Sequence, residues 1–178
     1  MKFNKPDWHG NHAAVWRQVV QPRLPANRVR WLEIGSMEGR SAAWTLDNML
    51  RAGDELVCVD IWASKQDEAA FDENVGSRAI KQKGTSESYL LTASGEFDVV
   101  YIDGSHNSPD VLSDAVLSWR LLKKQGGIMI FDDYHWRHPC DKAGAVDPRV
   151  AIDAFVACHE TQIAVLHRGF QVIVQRLR

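Results

Sequence analysis

Three carboxylates fall at the ends of two apolar runs. "GGIMIFDDYHW" (126–136) reads as a buried strand that closes on Asp132 and Asp133, and "FDVVYIDGSH" (97–106) closes on Asp103. Adjacent like charges at a strand end repel, so something must make them worth keeping. A third run, "LEIGSMEGRSA", carries Glu33, Gly35 and Gly39 through a strand-to-helix turn. Gly35 lets the chain bend tightly as it leaves the strand, and Gly39 permits close approach of a ligand and of the next helix. With only these two glycines, the G-x-G-x-x-G spacing of a pyrophosphate cradle is missing. Glu33 repels phosphate but accepts hydrogen bonds and favours a cationic ligand. Asp60, closing "ELVCVDIW", stands where an acid takes hydrogen bonds from ribose hydroxyls. An open glycine turn, a cation-tolerant acid and a ribose acceptor describe S-adenosylmethionine (SAM) better than NAD.

These residues meet only if the strands run side by side in one direction. Apolar runs alternate with helical patterns along the chain, which predicts βαβ units and a parallel sheet. Strands are expected at "RVRWLEIG", "ELVCVDIW", a short stretch near "AIKQKG", "FDVVYID" and "GIMIFDD". The helix after Gly39 has Ala43, Leu46 and Leu50 on one face, with Gly53 suited to its cap, and "ASKQDEAAFDENVGSRA" is weakly helical. "SPDVLSDAVLSWRLLKKQGG" is a well-marked helix. Ser108 suits its N-cap, Pro109 its first position and Gly126 its end, with Leu112, Ala115, Val116, Trp119 and Leu122 as the buried stripe. Another helix starts at Asp147 and Pro148, and "QIAVLHRGFQVIVQRL" reads as an antiparallel hairpin about Arg168–Gly169. Residues 1–28 add an N-terminal helical extension, and 29–178 form the main domain. In a doubly wound sheet ligands bind beyond the carboxyl ends of the strands. Glu33, Asp60, Asp103, Asp132 and Asp133 are therefore expected along one edge.

The 178 residues suffice for one domain with a full core. A net charge of −2 gives no global reason to expect nucleic acid or an acidic membrane as partner. The N-terminal stretch lacks the apolar core of a signal peptide, and no window offers the roughly 18 to 20 apolar residues of a membrane span, so a cytoplasmic protein is expected. Cys58, Cys140 and Cys158 are too few and too scattered for a disulfide framework. His135, His138 and Cys140 match no strong zinc spacing and suggest a substrate-facing loop. Trp62 and Trp136 fall near the expected pocket edge, where packing is the first expectation.

Taken in order, "WLEIGSMEGRSA", "VCVDIW", "FDVVYIDGSH", "LLKKQGGIMIFDDY" and "DPRVAIDAFV" resemble class I SAM-dependent methyltransferases, over about residues 29–178. The likeness is to the small-domain group that includes macrolide-sugar O-methyltransferases and cephalosporin-hydroxylase-like proteins. It implies an α/β, doubly wound, Rossmann-like seven-stranded sheet, mostly parallel with an antiparallel C-terminal hairpin. It further implies that Glu33, Gly35, Ser36 and Gly39 hold the methionine part of SAM. Asp60 and Ile61 would take the ribose, Ser86 or Glu87 would lie near the adenine, and Asp103 would border the cofactor. Asp103, Asp132 and Asp133 match the Mg²⁺ positions of metal-dependent members. Hard oxygen ligands with open positions suit that ion, which also offsets the Asp132–Asp133 repulsion. The macrolide-sugar enzymes carry Glu then Asp where this chain has Asp132 and Asp133, so the first ligand is one methylene shorter. His106 matches the general base, a neutral imidazole able to take a hydroxyl proton. A small-molecule acceptor is expected, and the compact chain leaves room for a partner subunit or self-association to complete the pocket. A metal-independent methyltransferase and a SAM-binding protein without transfer activity stay open.

Overall fold

The computed structural model describes residues 2–138 and 144–178. A seven-stranded sheet runs in the order β3-β2-β1-β4-β5-β7-β6. Its strands are β1 (Arg30–Ile34), β2 (Glu55–Asp60), β3 (Ile80–Lys83), β4 (Val99–Ile102), β5 (Ile128–Phe131), β6 (Ile163–Arg168) and β7 (Val172–Arg176). β1 to β5 are parallel, while β7 runs antiparallel to both β5 and β6. The expected doubly wound sheet and C-terminal hairpin are present. Winding passes outward through β2 and β3, then returns to β4 beside β1. The reversal between β1 and β4 is the switch point at which open α/β sheets bind ligands.

Alternation along the strands sends side chains to two cores. Leu32, Ile34, Val100, Ile102, Met129 and Phe131 face α4 (Ser86–Thr92), α5 (Ser108–Leu121) and α6 (Pro148–Cys158). Trp31, Cys58, Val99, Tyr101, Ile128 and Ile130 face α2 (Arg40–Asn48), α3 (Lys65–Asn74) and the N-terminal segment. That segment coils through short turns, a 3-10 turn at His9–Asn11, α1 (Ala13–Val15), a π turn at Trp16–Val20 and a 3-10 turn at Gln21–Arg23. Trp16 and Val20 are fully buried. The Trp16 ring meets Trp31 at 5.3 Å and Tyr101 edge-on at 4.9 Å, and its indole N–H donates to Gln171 at 2.7 Å. Residues before the first strand therefore help to cover the sheet's second face.

Three local expectations change. The N-cap of α5 is Asn107, and the Ser108 hydroxyl instead joins α5 to α6, donating to the Asp147 carbonyl and accepting from Ala151 N–H. The buried face of α5 holds Val111, Asp114, Ala115 and Ser118, whereas Leu112 and Val116 are exposed. Gly53 lies beyond the end of α2, which caps at Met49. One helix, α4, was not expected; its start is marked by the Thr85 hydroxyl accepting from Ser88 N–H. Among the described residues no helix is long and apolar enough to cross a membrane.

Candidate functional site

The loops after β1, β2, β3, β4 and β5 surround one cavity of about 1100 Å³. Gly35, Ser36, Asp60, Ile61, Ser86, Asp103, His106, Asp132 and Asp133 all line it. Glu33 and Gly39, named with them from sequence, lie behind its wall. At Gly39 an added Cβ would stand 2.5 Å from Val75 and 2.9 Å from Phe71, so this glycine serves the packing of α2 on α3.

The turn after β1 is held by its neighbours. Gly35 adopts φ +85°, its N–H donates to Val59, and an added Cβ would stand 2.0 Å from the Asp103 carbonyl oxygen. The first and fourth strands can thus leave the sheet in contact only because this residue has no side chain. Asp60 then braces the rim. Its Oδ2 accepts from the N–H groups of Ser36 and Met37, both at 2.9 Å, and Oδ1 accepts from Trp62 N–H at 2.7 Å. Met37 and Trp62 have φ of 44° and 40°, a costly region for bulky residues. The carboxylate secures both, and with about four lone-pair sites it keeps capacity for a ribose hydroxyl. Trp62 is buried against Phe71 with its indole N–H on the Met37 carbonyl, as packing required, while Trp136 lines the cavity.

Glu33 sits beside Cys58 and Tyr101 in the sheet register, on the face covered by α2. It is fully buried, and its Oε1 accepts from Ser41 Oγ at 2.9 Å. Burial pushes its pKa up from 4.5 to about 7. Between those values the folded chain holds a proton that the unfolded chain has released, so Glu33 costs stability as pH rises through that window. At about 1.4 kcal/mol per unit the full penalty is about 3 kcal/mol above neutrality. Glu33→Gln is expected to match the native protein at pH 4.5 and to be more stable at pH 8, read as the urea midpoint. Equal midpoints at pH 8 would contradict the assignment.

The three acids seen from sequence do converge, in two kinds of environment. Tyr101 Oη lies 2.8 Å from Asp103 Oδ2 and also contacts Asp132 Oδ2. One phenol proton serves one carboxylate at a time, and a second proton or a cation would relieve the repulsion between the two acids. Burial raises the pKa of Asp103 and of Asp132, and for Asp103 the charge of Asp132 adds to it. Asp132 is further engaged by Gln171 Nε2 on Oδ2 and by the Asp133 N–H on Oδ1, both at 2.8 Å. Asp133, at φ 60°, turns its Oδ2 to His106 Nε2 at 2.9 Å. Among the described residues Asp103, His106 and Asp133 form the group able to hold a metal ion, with one ligand atom from each and all within 4.8 Å of one another. Asp132 is thus tied to Tyr101 and Gln171, and His106 takes a place in the metal-capable group. His135 and His138 are not in it, and Cys140 lies outside the described residues.

Two features were missed in the sequence. Asp114, on the inner face of α5, lines the cavity near Ser86, and burial raises its pKa to about 6. The N-terminal segment forms a wall of the cavity through Lys5, His9 and His12. Glu38 fastens that segment to the glycine turn, accepting from the N–H groups of Asn4 and Lys5 and from the Asn4 side chain.

Comparison with known proteins follows the same lines. The sequence pattern of a family described as a methyltransferase domain matches residues 32–134. An O-methyltransferase of Aspergillus hancockii, hkm8, is 29% identical over 107 residues, which cover 58% of this chain and 42% of that protein. The chain therefore aligns with less than half of that relative's length. Among solved structures, an O-methyltransferase from Bacillus cereus in complex with S-adenosylhomocysteine (SAH) superposes with TM-score 0.69 at 17% identity, over 94% of this chain and 81% of that one. The mycinamycin-pathway methyltransferase MycE, in complex with Mg and SAH, gives 0.66 at 16%, over 99% and 51%. An rRNA methylase from Streptococcus thermophilus gives 0.67 at 10%, over 99% and 100%.

Proposed function

Since the chain belongs to the methyltransferase domain family, we propose that it moves the methyl group of SAM to a hydroxyl oxygen of a small molecule, assisted by a divalent cation. The observation that carries this reading is the placement of Asp103, His106 and Asp133 in the same cavity as Gly35 and Asp60. The Aspergillus hancockii O-methyltransferase supports oxygen as the acceptor, and MycE, solved with Mg and SAH, supports the pairing of cofactor and cation. The net charge of −2 favours a small acceptor over a nucleic acid.

Gly35 and Ser36 would border the amino-acid end of the cofactor, Asp60 and Ile61 the ribose, and Ser86 the adenine. Asp103 and Asp133 would hold the cation, Mg²⁺ by the hardness of their oxygens. Asp132 serves from behind, fixed by Gln171 and by the Tyr101 phenol. A cation held there would supply positive charge that lowers the pKa of a nearby hydroxyl. His106 is the base. Held by Asp133 through Nε2, the neutral imidazole takes the hydroxyl proton, and Asp133 stabilises the imidazolium that results. The acceptor oxygen bonds to the methyl carbon as the carbon–sulfur bond breaks, leaving a neutral thioether. Charge is cancelled in that step, so a site that excludes water favours it.

Calorimetric titration tests the binding half of this reading. SAH is expected to bind saturably, and Mg²⁺ added next is expected to give a second heat that Asp133→Ala abolishes. SAH binding with no Mg²⁺ heat would replace the proposal with a metal-independent methyltransferase. No SAH binding would overturn it entirely.

A further inference from the structure

Gln171 sits at the tip of the β6–β7 hairpin, polar and only 1% exposed. A buried amide must satisfy both of its ends, and here the partners fix which end is which. The Trp16 indole N–H can only donate, and it stands 2.7 Å from Gln171 Oε1. The amide nitrogen is therefore left to face Asp132, and it donates to Oδ2 at 2.8 Å. A turned amide would set N–H against N–H and oxygen against carboxylate. The same indole packs edge-on at 4.9 Å against Tyr101, whose phenol contacts that Oδ2 as well.

The effect of this bond reaches past Asp132. Asp132 Oδ1 accepts from Asp133 N–H at 2.8 Å, and Asp133 holds φ 60°, a region that residues with side chains enter at a cost. On the other side, Tyr134 N–H donates to the Phe170 carbonyl at 2.8 Å. Asp132 and Tyr134 are thus both tied to the hairpin tip, one by the Gln171 side chain and one by the Phe170 backbone. Asp133 is held between these two anchors, in the conformation that turns its Oδ2 to His106 Nε2 at 2.9 Å. Without the Gln171 donor, Asp132 Oδ2 keeps only the phenol, which also lies 2.8 Å from Asp103. Oδ1 is then free to swing away from Asp133 N–H.

We infer that Gln171 is a positioning residue for the metal-capable group: held by Trp16, it fixes Asp132, and through Asp132 the left-handed backbone that aims Asp133 at His106. The segment before β1 and the hairpin tip before β7 thereby set the geometry of a group to which neither contributes a member. The effect on Mg²⁺ rests on the cation reading above, whereas the effect on His106 needs no ion.

Gln171→Met keeps the reach of the side chain and removes both hydrogen bonds. With SAH bound, it is expected to weaken Mg²⁺ about ten- to hundredfold, the usual loss when a group that orients a ligand is removed, and to leave SAH affinity unchanged. In the cation-free protein, its His106 ring signal in NMR is expected to move to where Asp133→Ala places it. Trp16→Phe keeps a ring on Tyr101 but lets the Gln171 amide turn. It is expected to weaken Mg²⁺ in the native background and to add nothing in Gln171→Met, because the two act in series. Should Gln171→Met fail to fold, the native protein decides, since the Gln171 side-chain amide and Trp16 indole N–H signals are expected to shift together as Mg²⁺ binds. Equal losses for Mg²⁺ and SAH, a native His106 signal in folded Gln171→Met, additive effects of the two substitutions, or Gln171 and Trp16 signals indifferent to Mg²⁺ would each overturn the inference. A native protein that gives no Mg²⁺ heat would instead overturn the cation reading, and the His106 signal alone would then decide whether Gln171 positions Asp133.

Discussion

Replacing His106 with alanine is expected to lower the rate of methyl transfer by about two to four orders of magnitude, the usual contribution of a positioned general base. Asp133 Oδ2 stands 2.9 Å from Nε2, and the Trp136 ring packs edge-on at 4.7 Å, so the imidazole is oriented by a charge on one side and an aromatic wall on another. His106 also belongs to the metal-capable group, and the two roles part in one experiment. As a base, its loss lowers the single-turnover rate at saturating Mg²⁺ and leaves the SAH affinity unchanged. A variant whose native rate returns as Mg²⁺ is raised would place His106 among the cation ligands instead.

The second large effect concerns the backbone. Gly35→Ala is expected to cost about 3 kcal/mol or more, from a left-handed φ combined with collision against atoms that cannot swing aside. The nearest atoms to the added Cβ are the Asp103 carbonyl oxygen and carbon and the Gly104 Cα, at 2.0, 2.5 and 2.7 Å. Relief requires the chain after β4 to move away from β1, which displaces Asp103 from the acid cluster. Stability and SAH affinity are therefore expected to fall together. Gly53→Ala is the control. It has φ +92° and nothing within 4 Å, so only the conformational cost applies, about 1 kcal/mol. Similar urea midpoints for the two variants would contradict the close approach of β1 and β4.

The framework was legible because strand burial on both faces leaves near-continuous apolar runs, and a charge at the end of each run marks the sheet edge. Asp60, Asp103, Asp132 and Asp133 were found this way, and the hairpin at Gly169 was marked by its turn. Side-chain direction was not legible. Whether Asp132 or Asp133 faces the metal-capable group depends on the left-handed backbone of Asp133, and no residue type announces that. Glu33 reads as part of a ligand turn, yet strand alternation points it toward α2, where Ser41 meets it. In α5 the apolar residues suggested a stripe through Leu112 and Val116, while the fold turns Asp114 and Ser118 inward. An acid on an inner helix face is the signal that would have exposed Asp114, had the phase been set by Val111 and Ala115. The N-terminal segment gave no such cue, because short 3-10 and π turns have no sustained periodicity. Trp16 acquires its place only once the sheet is formed beneath it.

The most direct measurement is transfer of a radiolabelled methyl group from SAM to a panel of vicinal-hydroxyl compounds, with saturating Mg²⁺ or with the cation chelated. The account predicts label on the acceptor oxygen, lost on chelation, restored by Mg²⁺ and absent in Asp103→Ala. Transfer that is indifferent to chelation and to Asp103→Ala would contradict it.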